Sequence, residues 1–318
     1  MPPKKTTLLQ LLPFPVLPDF QSRAARDCHV IELWNETDPD AVIQAHRDDI
    51  TVLVTSAMMS TPASLIDKLP NLKAICSNGV GYDSIDVQHA HKKGIQVSNT
   101  PDVLNDCVAD LTWGLILACA RTLGRAERHV RANQWGRSSL PLGTKVTGKK
   151  LGIVGLGRVG QAIAERSVGF KMDVRYHNRN PRADAPWTYE GSLMELARWA
   201  DFLVIATVGG ASTRHLIDQN VMETLGPNGI LINISRGSVV DEAALIEALT
   251  NGRLGGAGLD VFDVEPNVPD ALKTLENVVI LPHIASATIE TRQAMASLVL
   301  DNVDAFIETG KVITPIPG

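Results

Sequence analysis

A two-domain α/β fold, with a doubly wound parallel sheet in one domain, is predicted by three observations. A glycine-rich turn, Gly155-Leu-Gly-Arg-Val-Gly160, joins an apolar strand pattern to an apolar-periodic helix pattern. From Lys150 onward, short apolar runs alternate with helical stretches, as crossover units require. A second alternation fills residues 8–98, and 318 residues give room for about two domains.

In chain order, the first alternation predicts strands at Leu8–Leu12, His29–Leu33, Thr51–Val54, Leu72–Cys76 and Ile95–Ser98. Helical pieces, for example Pro62–Lys68 and Ser84–Lys93, lie between them. Pro101 then opens a predicted helix to about Leu123. Val103, Leu104, Val108, Leu111, Trp113, Leu115, Ile116 and Leu117 cover nearly its whole circumference, so it should be buried between domains or subunits. Residues 124–147 mix Arg125, Arg128, Arg131 and Arg137 with Trp135, Gly136 and Pro141. They read as an arm leaving the domain body, or, for the arginines alone, as a solvated face. Six strands follow, at Leu151–Val154, Asp173–His177, Phe202–Ala206, Ile230–Ile234, Ala257–Val261 and Val278–Leu281. The last helix, about Ile289 to Glu308, exceeds what that sheet needs and is expected to return to the first domain.

Composition excludes several classes. A net charge of −5 and a pI near 5.9 argue against nucleic acid or an anionic membrane as the main partner. Leu8–Leu12, behind the opening Met-Pro-Pro-Lys-Lys-Thr-Thr, is too short for a signal core, and no apolar run nears the roughly 18 residues of a membrane span. A soluble, cytoplasmic protein is expected. Cys28, Cys76, Cys107 and Cys119 form no C-x-x-C pair, so neither a metal site nor a disulfide is expected. The sequons at Asn35 and Asn233 read as chance without a secretory signal.

The glycine turn has the dinucleotide-binding spacing. Gly155 permits the tight turn, Gly157 lets backbone approach a pyrophosphate, and Gly160 lets helix pack on strand. The helix start then offers free N–H groups and its positive dipole end to phosphate. A ligand of such a sheet sits at the carboxyl ends of its strands. Three motifs end there: Asn233-Ile-Ser-Arg-Gly237, Asp260-Val-Phe-Asp-Val-Glu-Pro266 and Leu281-Pro-His-Ile-Ala-Ser286. They contribute Arg236, whose planar fork fits a carboxylate, with Gly237 allowing close approach. They also contribute His283, a proton donor near neutral pH, and Glu265, a carboxylate able to orient the ring. Singly, each has a plain reading: a core histidine, a loop carboxylate, an interdomain salt bridge. Behind a dinucleotide fingerprint, the trio points to catalysis.

Together with Asn78-Gly-Val-Gly-Tyr-Asp-Ser-Ile-Asp86, Asn99-Thr-Pro-Asp-Val103, Thr213-Arg-His-Leu-Ile217 and Gly258-Leu-Asp-Val-Phe262, these motifs resemble the D-isomer-specific 2-hydroxyacid dehydrogenase family, glyoxylate/hydroxypyruvate reductase branch. The resemblance spans roughly residues 50–290. It implies a Rossmann-type domain, 100–286, inserted into a smaller flavodoxin-like substrate domain made of 1–99 and 287–318, with the active site in the cleft between them. It implies catalysis by Arg236, Glu265 and His283, with His283 protonating the alkoxide formed from a small 2-oxo acid. On the cofactor side it implies Leu156, Arg158, Val159, Asn178, Arg179, Asn180, Thr207, Ile234, Ser235 and Asp260 beside the three glycines. On the substrate side it implies the Val80 and Gly81 amides, Arg236, Ser286 and Met58. Met58 and Met59 equally read as core residues under their loop. The chain ends at Gly318 without the regulatory extension of many phosphoglycerate dehydrogenases, which counts against a serine-biosynthetic role. Ala206-Thr-Val-Gly-Gly-Ala211 departs from a proline-containing segment common in relatives. The rival reading is a dinucleotide-sensing, corepressor-like interaction protein on the same fold.

The second strand of the glycine-turn domain decides the cofactor. An NAD site places an acid about 20 residues past the glycines. Here His177 and Asn178 stand at the strand end, followed by Arg179, with Arg182 and Arg158 also available and Asp184 beyond the loop. NADPH is therefore expected to be preferred, with NADH usable. The apolar helix and the arm are expected to bury their surface in a homodimer.

Overall fold

Runs of Val, Ile and Leu too short for helices become strands buried on both faces, the pattern that parallel sheets demand. The computed structural model describes residues 5–317. The chain divides into two units, Met1–Leu104 with Ala287–Gly318, and Asn105–Ser286.

The first unit carries β1 (Thr6–Gln10), β2 (Cys28–Glu32), β3 (Ile50–Ser56), β4 (Ala74–Asn78) and β5 (Gln96–Ser98). All pair in parallel, in the order β2-β1-β3-β4-β5, which is the flavodoxin-like order. One face packs on Ile43, Ile66, Leu69 and Ala90 of the intervening helical segments. The other packs on Ala296, Val299, Leu300 and Val303 of the long helix Ile289–Thr309, so the last helix does return to the first sheet. The helix expected over Ser84–Lys93 starts later, at Val87, because the Asp86 carboxylate caps it by accepting from His89 N at 3.0 Å.

The second unit carries β6 (Lys150–Val154), β7 (Asp173–His177), β8 (Thr188–Tyr189), β9 (Phe202–Ile205), β10 (Ile230–Asn233), β11 (Gly256–Leu259) and β12 (Val278–Ile280). Their order is β12-β11-β10-β9-β6-β7-β8, again all parallel. Strand order reverses between β6 and β9, the switch point where this doubly wound fold binds ligands. The sheet thus has a seventh strand beyond the six expected. β8 is two residues long, too short to carry a period of its own.

The helix expected from Pro101 to Leu123 is Asn105–Ala120. Asp102 sits at φ 70° and Thr122 at φ 49°, left-handed conformations that a helix cannot include. Val108, Ala109, Thr112, Trp113, Leu115, Ile116 and Ala120 are buried in it. A second helix, Leu123–Arg131, buries no residue. In the arm beyond it Trp135 is 82% and Leu142 99% exposed. Arg125 and Arg128 of the second helix approach Glu276, at 3.3 and 3.5 Å. Among the described residues no single helix is long and apolar enough to cross a membrane; only the pair Asn105–Ala120 and Leu123–Arg131, bent by 63°, reaches that composition together.

Candidate active site

The glycine turn leaves β6 at the switch point. Gly155 has φ 100°, and a side chain there would stand 2.5 Å from Thr207 N. A Cβ at Gly160 would collide with the Gly155 carbonyl, so both glycines are required by close backbone approach. Gly157 differs: an added Cβ there would meet open space, and the residue is exposed at the start of the helix Arg158–Arg166. A cradle tight behind and open in front fits a dinucleotide pyrophosphate. Asn178 braces it, its side-chain oxygen accepting from Leu156 N at 2.7 Å. Thr207 lies behind it, and the Ser235 hydroxyl donates to the Thr207 carbonyl. Ile234 N donates to Ile205 O at 3.4 Å, which holds the start of that turn against the end of β9. Val159 is half-buried in the helix, and Asn180 is exposed.

Arg179 and Arg182, grouped by the sequence, have different surroundings. Arg179 is exposed and donates to Ser212 Oγ at 3.4 Å. Arg182 donates from Nη1 to Leu156 O at 3.1 Å and pairs with Asp184 at 2.5 Å. It is therefore a strut beneath the glycine turn with its charge matched, and Asp184 serves that strut.

The catalytic candidates converge. His283 Nδ1 lies 2.7 Å from Glu265 Oε2, and both side chains are 23% exposed. Burial alone would raise the Glu265 carboxyl. The His283 bond and charge, the Phe262 N–H at 3.1 Å and the Arg236 charge outweigh it and hold Glu265 below the ordinary carboxylate value. Asn233 shapes the Arg236 turn: its Nδ2 donates to Arg236 O at 2.9 Å and its Oδ1 accepts from Ser235 N at 3.0 Å. Buried that way, the Asn233 sequon offers no accessible amide. Gly237 is required by close backbone packing. A Cβ there would strike the Phe262 carbonyl, so the space belongs to the Phe262–Asp263 backbone.

Asp260, grouped with the cofactor residues, has both carboxylate oxygens on the histidine turn. They accept from Ile284 N and Ala285 N, each at 2.8 Å, while His283 N donates to Asp260 O at 2.9 Å. Burial raises the Asp260 carboxyl above its ordinary value despite those two N–H groups. His283 is held at φ 52°, a left-handed backbone costing on the order of 1 kcal/mol or more, and these three bonds fix it. Ser286, half-buried, follows in the same turn.

In the first unit, Met58 is 60% exposed, whereas Met59 packs partly buried on the core. The core reading thus applies to Met59 alone. Ala57 N donates to Asn78 O at 3.1 Å, so the loop carrying Met58 adjoins the one carrying Val80 and Gly81. Two residues without an assigned role hold the latter loop: Asn99 Nδ2 donates to Val80 O at 2.8 Å, and Thr100 Oγ1 accepts from Gly79 N at 3.0 Å. Their Asn-Thr-Pro motif was a signal, but only the fold shows what it grips. Among the described residues no cluster of His, Cys, Asp or Glu could hold a metal ion.

Comparisons with known proteins identify the family. The family model of the D-isomer specific 2-hydroxyacid dehydrogenase NAD binding domain matches residues 113–285. A glyoxylate/hydroxypyruvate reductase A of Arabidopsis thaliana is 46% identical, over 91% of this chain and 92% of the relative. A hydroxyphenylpyruvate reductase of Plectranthus scutellarioides is 44% identical, over 89% of this chain and 90% of the relative. The solved structure of an NADPH-dependent glyoxylate/hydroxypyruvate reductase of Sinorhizobium meliloti, in complex with NADP and malonate, superposes with TM-score 0.89 at 40% identity, covering 98% of this chain and 97% of that one.

Proposed function

The chain belongs to the D-isomer specific 2-hydroxyacid dehydrogenase family, and from that premise we propose that it reduces a small 2-oxo acid, such as glyoxylate or hydroxypyruvate, to the D-2-hydroxy acid with NADPH. The carrying observation is the His283 Nδ1–Glu265 Oε2 contact of 2.7 Å, with Arg236 acting on the same carboxylate. Glu265, held ionised, can only accept, so His283 Nδ1 carries its proton. The opposite ring nitrogen is then the one that gives a proton to the developing alkoxide. Arg236 clamps the substrate carboxylate and polarises the carbonyl, joined by the Val80 and Gly81 amides. The nicotinamide, when bound in the Asn105–Ser286 unit, supplies the hydride. Gly155, Leu156, Gly157, Arg158, Val159 and Gly160 hold the pyrophosphate, backed by Asn178, Asn180, Thr207, Ile234 and Ser235. Arg179 binds the 2′-phosphate, Asp260 fixes the His283 turn, and Met58 and Ser286 border the substrate.

The exposed Leu123, Val130, Trp135 and Leu142 support a homodimer built on the second helix and the arm. The relatives named above are reductases, so nothing in them favours the dinucleotide-sensing reading. The test is turnover of a panel of 2-oxo acids with both nicotinamide cofactors. Oxidation of NADPH with glyoxylate, hydroxypyruvate or an aryl pyruvate is expected; a folded protein that binds NADPH but turns over none of them would refute the proposal.

A further inference from the structure

Asn302 stands in the middle of the helix Ile289–Thr309 and is 0% exposed. A buried amide is costly unless its polar atoms are matched, and here all are. Nδ2 donates to Leu298 O at 2.8 Å and to Thr314 Oγ1 at 2.9 Å, while Oδ1 accepts from Ile313 N at 3.0 Å and Thr314 N at 3.1 Å. Having accepted from Asn302, the Thr314 hydroxyl gives its own proton to Asn99 O at 2.6 Å. Asn99 N in turn donates to Thr314 O at 3.4 Å. The Asn99 side chain then reaches Val80 O at 2.8 Å.

The end of this path has a geometric consequence. A peptide unit is planar and trans, so fixing a carbonyl fixes the direction of the N–H in the same plane. Val80 O shares its plane with Gly81 N–H, and Gly79 O shares its plane with Val80 N–H. Asn99 Nδ2 holds the first carbonyl, and Thr100 N holds the second at 2.9 Å. Neighbouring residues of one segment thus aim the two N–H groups assigned to the substrate carboxylate. That segment is itself seated by Thr314 and, behind it, by Asn302.

Anchoring residues 310–316 does not require the Thr314 hydroxyl. Gln96 Nε2 donates to Gly310 O at 2.7 Å, Val312 N to Gln96 Oε1 at 3.1 Å, and Ile316 N to Val97 O at 2.8 Å. The Thr314 hydroxyl is therefore directed at Asn99 over and above what docks the segment.

We propose that Thr314 and Asn302 are positioning residues for substrate binding, acting through Asn99 on the orientation of the Val80 and Gly81 amides. This rests on the reading that those amides bind the 2-oxo acid carboxylate. The test uses Thr314→Val, which keeps shape and removes the hydroxyl, and Thr314→Ser, which keeps the hydroxyl. Hydroxypyruvate is the substrate and oxalate the competing carboxylate, with NADPH as cofactor. For Thr314→Val, the KM for hydroxypyruvate and the Ki for oxalate should both rise about five-fold, the scale of one hydrogen bond, while kcat and the KM for NADPH stay within about two-fold. Thr314→Ser should restore both constants. The proposal is overturned if Thr314→Val leaves KM and Ki as in wild type, if kcat or the NADPH KM moves in step with them, or if Thr314→Ser behaves like Thr314→Val. Gly81→Pro, which deletes one of the two N–H groups, separates the causes of failure. If it raises the oxalate Ki while Thr314→Val does not, the relay alone fails; if it leaves the Ki unchanged, the carboxylate reading fails and the proposal with it.

Discussion

Arg179→Ala should collapse the preference for NADPH. Arg179 is exposed, and its bond to Ser212 Oγ is long at 3.4 Å, so little holds it back from a phosphate. A hydrogen bond to a charged group contributes roughly 1.5–3 kcal/mol, but solvent screening at an exposed site argues for the low end of that range or below it. A wild-type preference of about tenfold in kcat/KM follows, equivalent to about 1.4 kcal/mol. The assay is kcat/KM for NADPH and NADH, wild type and variant, at low and high salt. The variant should lose the preference through the NADPH KM, with NADH use nearly unchanged, and raised salt should erode the wild-type ratio. Arg182→Ala is the contrast. Its guanidinium supports Leu156 O rather than a phosphate, so the KM for both cofactors should rise together. Equal or better use of NADH by the wild type, or an unchanged ratio in Arg179→Ala, would refute the reasoning.

Replacing His283 by Ala should cost roughly 10²–10⁴-fold in kcat with cofactor binding intact; a variant keeping half the wild-type kcat would remove it from the mechanism. Arg236→Lys should fail to recover kcat/KM, because an ammonium lacks the planar fork, and wild-type kinetics would contradict the assignment. Glu265 titrates below its ordinary value of 4.5 in the folded chain. The stability it contributes is therefore complete above that value and lost as pH falls through the lower folded-state value. The Tm deficit of Glu265→Gln should thus be largest near neutral pH and close in acid; a deficit that grows on acidification would contradict this sign. Sedimentation should give a dimer, and a species near the 34.3 kDa chain mass at micromolar concentration would refute it.

Much of this was legible before folding because the signals are local. Two alternations of short apolar runs with helical stretches specify two α/β layers, since period and length are properties of neighbouring residues. Gly155-Leu-Gly-Arg-Val-Gly160 marks the strand–turn–helix by what a Cβ would forbid, and the structure shows that for Gly155 and Gly160. Arg236, Glu265 and His283 could be named because each follows a strand end, and parallel strands bring their carboxyl ends to one edge.

What the sequence could not decide are pairings between residues far apart in the chain. Arg179 and Arg182 look alike in a string; only the fold shows one exposed and the other braced between Leu156 O and Asp184. Gly237 reads as a glycine beside an arginine; only the fold shows the Phe262 carbonyl where its side chain would stand. Asp260 reads only as a cofactor contact in the string; the fold adds that its carboxylate also accepts from Ile284 N and Ala285 N. The run from Asn302 through Thr314 and Asn99 to Val80 links positions up to 222 residues apart, and no periodicity or spacing reports it. Hydrophobic pattern and glycine placement act within a few residues, so the sequence alone determined the elements and the chemistry at their ends. Hydrogen-bond partners and the space around a side chain depend on which segments the completed sheets bring together, so only the tertiary structure decided which of those residues stay exposed and which hold the others in place.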